Sequence, residues 1–457
     1  MVSKGFTFVI TLIFLTLSFR GAYSALASRR TSFYIVNYSD NHNSSNFEDE
    51  SSETNSQSIH DGLRTGNTTE LLESSVSPQV LQPNATSSIM CYYNIPRMSD
   101  RPYPVFPEAL DASLCSHLVV RGAKVVNLTL EPNDILDVQF YNRIIRLKQI
   151  NPKLKVLLSL ESVNDDTGKG FVQMISTNDT RQRFIRNTVN TVNQHDFDGL
   201  EISWKYPCFD GPIEQKQLFA DFLQEFRDCI SINGSSMLLT AAVSANKEII
   251  DIAYDIAALA RSLDFISLMS YDYHTFSWMT PITGPNSPLF HMKNEIAMLS
   301  TLNVEWSANY WNQNGMPASK IIVGIPSYGR SYTLTNEENH SYYDLAKGLG
   351  STGYKGYVTF PELCEFLSTP NVTSVYNNVT AELYAYKGAE WISFENEQSA
   401  STKAAWIHRS GFGGVAVKDL NSDDAYKQCT KPSGSTTTTA NFPIARAIYD
   451  ILYSSSF

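Results

Sequence analysis

A chain of 457 residues with 42% apolar and 12% aromatic content can bury a sizeable core, and its length suits one large domain with extra segments. Its 46 acidic residues against 35 basic ones, a net charge of −11, exclude nucleic acid and anionic membrane as partners, because both need a positive field that no Lys/Arg cluster supplies. The six cysteines, at positions 91, 115, 208, 229, 364 and 429, show no Cys-x-x-Cys or Cys/His spacing, so neither a metal site nor a cofactor is expected.

Lys4, the apolar run 6–19 and the small residues Ala22 and Ser24 have the three-part form of a secretory signal peptide over residues 1–24. The run is shorter than the roughly 20 residues of a membrane span, and Arg20, Arg29 and Arg30 beyond it disfavour the alternative of an N-terminal membrane anchor. Residues 25–88 are rich in Ser, Asn, Thr and acidic side chains without a sustained period, and read as a disordered stalk that cannot offset its own ordering entropy. A secreted chain with no membrane contact after cleavage is expected. Ten Asn-x-Ser/Thr sequons are its glycosylation candidates: Asn37, Asn43, Asn67, Asn84, Asn127, Asn178, Asn233, Asn339, Asn371 and Asn378.

From residue 89 to 453 short apolar runs alternate with helical patterns, as expected of buried parallel strands joined by crossover helices. The predicted strands are 89–94, 117–121, 155–160, 199–204, 238–243, 265–270, 321–326 and 414–417. The predicted helices include 139–149, 180–194, 215–230 and 250–261, with a last one at 443–452 behind a Ser/Thr loop at 433–439. Eight such units predict an α/β fold, an eight-stranded β/α (TIM) barrel; an open doubly wound sheet lacks its Gly-rich phosphate turn here. The long interval between the seventh and eighth strands predicts a small α+β insertion at about 331–393, on the C-terminal side of the barrel where sites are built.

The segment Phe197-Asp198-Gly199-Leu200-Glu201-Ile202-Ser203-Trp204-Lys205-Tyr206-Pro207 carries the chemistry. Alternate residues of a strand share one face, so Glu201, Ser203 and Lys205 point together into the barrel and up to its mouth. The segment resembles the fourth-strand signature of glycoside hydrolase family 18, the chitinase type, normally Asp-Gly-x-Asp-x-Asp-x-Glu. Cys91-Tyr92-Tyr93-Asn94, Cys115-Ser116-His117-Leu118, Met269-Ser270-Tyr271-Asp272 and Gly324-Ile325-Pro326-Ser327-Tyr328-Gly329-Arg330-Ser331 resemble further motifs of that family, in order along the chain.

The resemblance implies disulfides Cys91–Cys115 and Cys364–Cys429, and a substrate-assisted mechanism in which a glutamate protonates the leaving oxygen while an aspartate orients the sugar's acetamide. Lys205 stands at the glutamate position and Ser203 at the aspartate position. Asp198, Glu201, Ser203 and Lys205 thus form a degenerate motif without a catalytic residue, and a pseudoenzyme is expected. Glu201 cannot replace the acid, since two pleats of about 6.6 Å each separate it from position 205. Aromatic platforms expected after the first, third and eighth strands align with Pro96, with Glu161-Ser162-Val163 and with Lys418, followed by Asp419. Tyr206, Met269, Tyr271, Asp272 and Arg330 survive as residual glycan-binding candidates.

Each feature also has a plainer reading. Tyr271, Asp272 and Arg330 could form a hydrogen-bonded cluster with Lys205, and both Lys205 and Lys418 could face Asp272, Glu201 or Asp419 in a structural ion network. Cys208 and Cys229 are expected unpaired: a helix of fifteen or so residues at about 1.5 Å each puts them about 20 Å apart, against about 7 Å for a bridge. His274 reads as a local hydrogen-bond partner, and Trp278, Trp306, Trp311 and Trp391 as packing residues. Three functions follow: an inactive chitinase-like protein with an extracellular protein partner, a lectin for chitin or N-acetylglucosamine oligomers, or a hydrolase with altered chemistry.

Overall fold

The computed structural model describes residues 87–100, 102–162, 169–429 and 440–453. The signal-type segment, residues 25–86 of the stalk and the Ser/Thr loop lie outside the described residues, and Ser88, expected at the end of the stalk, is instead the first residue of the first strand. Eight parallel strands close on themselves: β1 (Ser88–Asn94), β2 (His117–Val126), β4 (Lys155–Glu161), β5 (Gly199–Ser203), β6 (Leu238–Ser244), β7 (Phe265–Met269), β8 (Ile321–Pro326) and β15 (Gly414–Lys418). Closure comes from β1, which pairs with β2 on one side and β15 on the other, matching Cys91 to Leu118 and to Val417. This is the predicted β/α barrel.

Strand alternation divides the core in two. Met90, Tyr92, Val119, Leu157, Ile322 and Ala416 fill the lumen, while their neighbours Ile89, Cys91, Tyr93, Leu118, Val120, Val156 and Leu158 face the surrounding helices. Helices Asn178–Gln194 and Gln215–Ile232 bury Phe184, Ile185, Phe219, Phe222 and Phe226 against that outer face. The bridge Cys91–Cys115 lies in the same outer layer, with Cα atoms 6.0 Å apart.

The structure departs from the sequence expectation at three elements. Strand β2 runs five residues beyond Arg121 and folds back on β3 (Thr129–Pro132), because Asn127 and Leu128 adopt left-handed conformations (φ 51° and 63°) that make a two-residue hairpin turn. The predicted helix 250–261 is two helices, Lys247–Ala253 and Ile256–Ser262. Tyr254 is extended between them, and Asp255 caps the second by accepting from Ala258 N at 2.9 Å. The predicted helix 139–149 starts earlier, as Asp137–Ile145, and is interrupted before Leu147–Ile150.

The insertion after β8 is a six-stranded antiparallel sheet of β9 (Gly329–Leu334), β10 (Ala346–Leu349), β11 (Tyr357–Val358), β12 (Thr373–Asn377), β13 (Glu382–Lys387) and β14 (Glu390–Phe394). It carries the helix Phe360–Leu367, tied to the segment after β15 by Cys364–Cys429. The C-terminal helix Pro443–Tyr453 is held by Asp423, whose carboxylate accepts from Ala445 N at 3.0 Å. No helix among the described residues is long and apolar enough to cross a membrane.

Gly324 on β8 joins fold to site. A Cβ there would stand 2.6 Å from Leu268 O and 2.8 Å from the Tyr271 ring, so only glycine lets that ring lie across the strand. Gly324→Ala should therefore lower stability by about 1–3 kcal/mol in urea unfolding and shift the Tyr271 ring. Unchanged stability would show that the ring is not held there.

Candidate functional site

A cavity of about 810 Å³ opens at the C-terminal ends of the strands, within the size range of small-molecule sites. Its walls include Asn94 after β1, Arg121 on β2, Lys205 after β5, Tyr271 and Asp272 after β7, and Lys418 and Asp419 at the end of β15. The insertion contributes Tyr328, Arg330, Tyr354 and Tyr357.

Below the cavity the lumen is filled by side chains. Glu201 is fully buried and accepts hydrogen bonds from Tyr92 Oη at 2.7 Å and Ser159 Oγ at 3.1 Å. Burial pushes its carboxyl up to about 7, and the two hydrogen bonds hold it from going higher. Ser203, one pleat above, is buried as well. Asp198 stands at the opposite end of β5, where it accepts from Val156 N at 2.9 Å and pairs with Lys148 at 2.8 Å and Lys155 at 3.1 Å. It serves the foot of the barrel, not the mouth.

At the mouth, the carboxylates are engaged. Asp272 accepts from Tyr328 Oη at 2.8 Å and from Arg330 Nε at 2.8 Å and Nη2 at 2.6 Å. The Arg330 guanidinium also lies 5.1 Å from the Tyr328 ring and 5.4 Å from Tyr357, which stack on each other at 4.2 Å. Glu161 at the end of β4 pairs with Arg121, and Arg121 Nη1 donates to Asn94 Oδ1 at 3.0 Å. Asn94 Nδ2 donates in turn to Asp419 Oδ2 at 2.7 Å, while Asp419 Oδ1 accepts from Ser422 Oγ at 2.8 Å.

The expected ion network is borne out for Lys418, which pairs with Asp419 at 3.8 Å, and corrected for Lys205. Among the described residues Lys205 has no ion pair: its backbone N donates to Ser162 Oγ at 3.0 Å, and its side chain reaches into the cavity. Arg121 holds Glu161 and Arg330 holds Asp272, because a planar guanidinium matches a carboxylate better than an ammonium does. Lys418 lies 4.8 Å from the Tyr92 ring and only 3.8 Å from Asp419 Oδ2, a loose pair. Enclosing protein lowers the Lys418 ammonium to about 8, helped by repulsion from Arg121 and opposed by Asp419 and Glu161. Lys205 touches solvent at the cavity opening, yet the surrounding walls lower its ammonium too, with Arg121 adding to the effect.

Of the surviving motif residues, Tyr271, Asp272 and Arg330 line the cavity, whereas Met269 and Tyr206 lie outside its lining. Met269 is buried below, and Tyr206 is half-buried against Phe209, ring centres 6.1 Å apart. His274 is buried away from the cavity with Nδ1 3.0 Å from Pro285 O, and burial lowers its imidazole to about 4. Pro96 is buried, and Val163 lies outside the described residues. Trp311 and Trp391 are core residues and Trp306 stacks on Tyr310 at 4.6 Å, but Trp278 is 80% exposed, contrary to the packing role expected for it. Cys208 and Cys229 carry free thiols.

Sequence reasoning missed Arg121 and the buried triad of Glu382, Glu395 and Lys403. Arg121 was legible as the one charge closing the apolar run Leu118-Val119-Val120. The triad had no local signal, since its members come from β13, the end of β14 and the helix Glu397–Arg409. Glu382 accepts from Asn286 N at 2.8 Å and Ser287 N at 3.1 Å, and Asn286 Oδ1 accepts from Asp272 N at 3.0 Å. The triad thus fixes the loop that carries Asp272.

The fold and cavity define a β/α-barrel protein with its site at the C-terminal ends of the strands and a small antiparallel sheet forming one wall. The match to the family model for glycosyl hydrolases family 18 spans residues 88–423, and the chain belongs to that family. It is 34% identical over 352 residues to human (Homo sapiens) chitinase-3-like protein 2, covering 76% of this chain and 89% of that one. It is 32% identical to Mus musculus chitotriosidase-1 over 76% of this chain and 75% of the relative. The human oviduct-specific glycoprotein is 33% identical over 82% of this chain, which spans 54% of that relative's length. Among solved structures, human YKL-39, described as a pseudo-chitinase with retained chitooligosaccharide binding properties, superimposes with a TM-score of 0.73 at 31% identity over 80% of this chain and 99% of its own. The Trichuris suis chitinase TsES1, described as immunomodulatory, gives a TM-score of 0.74 at 31% identity over 80% of this chain and 100% of its own.

The elevated carboxyl of Glu201 has a pH signature. Between its ordinary value of 4.5 and about 7 the unfolded chain gives up this proton while the folded chain keeps it, so stability falls as pH rises through that window. Glu201→Gln removes this loss. Relative to wild type it should gain on the order of 3 kcal/mol in urea unfolding between pH 4 and pH 8. An equal difference at both pH values would contradict the assignment.

Proposed function

We propose that this chain is a secreted, N-glycosylated chitinase-like protein that binds a saccharide at the barrel mouth and does not hydrolyse it. The observation that carries this reading is the Lys205 side chain reaching into the cavity from the position of the family's acid. An ammonium there would repel the positive charge that develops on the sugar ring, and a proton donor lost at this step typically costs about 10²–10⁴ in rate. Ser203 is neutral and cannot hold the acetamide of a substrate as an aspartate does. Glu201 is enclosed beneath the cavity, and Asp272, Glu161 and Asp419 are held by Arg330, Arg121 and Ser422.

Binding is favoured over a purely protein-facing surface by the cavity and by Tyr103 and Tyr354 on its wall, 59% and 57% exposed, whose rings offer faces for sugars. The neighbour described as a pseudo-chitinase that retains chitooligosaccharide binding supports the same reading. Secretion is supported by the signal-type segment and by two disulfides, which persist in oxidising compartments. Asn127, Asn178, Asn233, Asn339, Asn371 and Asn378 are all exposed, as acceptor asparagines must be.

A fluorogenic chitobioside incubated with the chain should give no turnover, and Ser203→Asp combined with Lys205→Glu should restore less than about 1% of the rate of an active family member, because Lys418 still replaces the aromatic floor. Turnover by the wild type that disappears in Lys205→Ala would establish altered hydrolytic chemistry instead. An N-acetylglucosamine oligomer should bind by calorimetry; affinities of about 1 mM or weaker for tetra-N-acetylchitotetraose and for its acidic counterparts alike would leave the mouth as a protein-interaction surface. Enzymatic removal of N-glycans from the protein secreted by eukaryotic cells should lower its mass, and an unchanged mass would contradict glycosylation.

A further inference from the structure

We propose that the mouth cavity selects an acidic saccharide, one bearing a carboxylate or a sulfate, and that Lys205 and Lys418 recognise the anion. The inference rests on the saccharide-binding reading above and specifies the ligand class.

Five basic residues line the cavity, and Arg97 among them is held by Asp137, which leaves Arg121, Lys205, Arg330 and Lys418. The two arginines are satisfied by Glu161 and Asp272. Of the other carboxylates on the wall, Asp419 accepts from Asn94, from Ser422 Oγ and, at 3.0 Å, from Ser422 N, while Asp100 accepts from Arg97 N at 2.6 Å and Glu362 from Thr359 N at 2.9 Å and Oγ1 at 2.8 Å. What remains for a ligand are the two ammonium groups. Lys205 has no ion pair among the described residues, and Lys418 has only the 3.8 Å approach to Asp419.

Two such groups in one cavity are a standing cost. Lys418 is half-buried and Lys205 stands exposed at the opening, and the two repel one another as well as Arg121. An anion entering between them relieves both penalties, whereas a neutral sugar relieves neither and strips water from them. Tyr92 beneath Lys418 supplies a π-face but no counter-charge, and its hydroxyl is turned down to Glu201. The flanking tyrosines then serve the sugar rings, and Asn94 and Asn421 stand on the wall for hydroxyl or acetamide groups. The substitution of an aromatic floor and a catalytic acid by two lysines thus converts a neutral groove into one with unsatisfied positive charge.

Affinity for such a ligand should fall as pH rises through about 8, where Lys418 loses its proton. The charged and titratable groups facing Lys418 are Tyr92 on β1, Arg121 on β2, Glu161 on β4, Glu201 and Lys205 of the β5 segment, Tyr271 and Asp272 after β7, Arg330 on β9, and Asp419 beside it. Of these Glu201, raised to about 7 by burial, gains its negative charge below pH 8, so only the loss above pH 8 is ascribed to Lys418.

The test is calorimetry on the full secreted chain at pH 6.5 and low salt with three tetrasaccharides. One is neutral, tetra-N-acetylchitotetraose; one alternates N-acetylglucosamine with glucuronate; one is a sulfated N-acetylglucosamine oligomer. At least one acidic probe should bind about ten-fold or more tightly than the neutral probe, and which one does so separates carboxylate from sulfate. Lys205→Met with Lys418→Met should collapse that ratio to about one, while Lys205→Arg should keep it; circular dichroism and thermal midpoints confirm that the variants fold. An acidic preference that survives the double Met variant overturns the proposal. Binding of the neutral probe alone overturns it too, but leaves the saccharide-binding reading standing. Binding of none of the three overturns both.

Discussion

Closure of the sheet through β1 is the constraint on which the molecule depends. Once β1 pairs with both β2 and β15, the strands have no free edge in the barrel, and alternate residues of eight strands must share a narrow lumen. Small or apolar side chains fill most of it. Where the lumen widens at the C-terminal ends, larger polar side chains fit, and residues more than three hundred positions apart, such as Asn94 and Asp419, come within hydrogen-bonding distance. The site is therefore a product of closure more than of any one segment.

Within that mouth, selection among charges follows from geometry. Carboxylates at the ends of β4 and after β7 are captured by arginines, which bring two or more donors in a fixed fork. The lysines, each a single flexible point charge, are left over. The lower tier is handled differently: burial raises the Glu201 carboxyl to about 7, against hydrogen bonds from Tyr92 and Ser159 that favour its charged form. A carboxyl so enclosed serves the packing of the lumen, and the solvent-facing chemistry falls to cations. This inversion of charge at the former acid position links the proposed loss of hydrolysis to the proposed taste for an anion.

Much of the barrel was legible because its signals are local. Eight apolar runs bounded by helical patterns mark the strands, and the series Asp198 to Pro207 marks the one that carries the motif. Glu201, Ser203 and Lys205 were correctly ordered from lumen to mouth by strand periodicity alone. What could not be read was partner choice. That Asp272 would turn to Arg330 and Tyr328, and that Glu161 would take Arg121, depends on distances across the barrel that no sequence spacing records. The Glu382, Glu395 and Lys403 triad was invisible for the same reason, since buried charge is rare enough that no local pattern suggests it. The β2–β3 hairpin was missed because its turn, Asn127-Leu128, lacks the glycine that usually announces such a turn.

The most direct test of the account is a crystal of the secreted chain soaked with an N-acetylglucosamine oligomer and then with its acidic counterpart. The account predicts an uncleaved saccharide at the mouth, its rings against Tyr103 or Tyr354, with the acidic ligand's anion within hydrogen-bonding distance of Lys205 or Lys418. Shortened sugar products in the cavity would contradict the claim that the protein binds without cleaving.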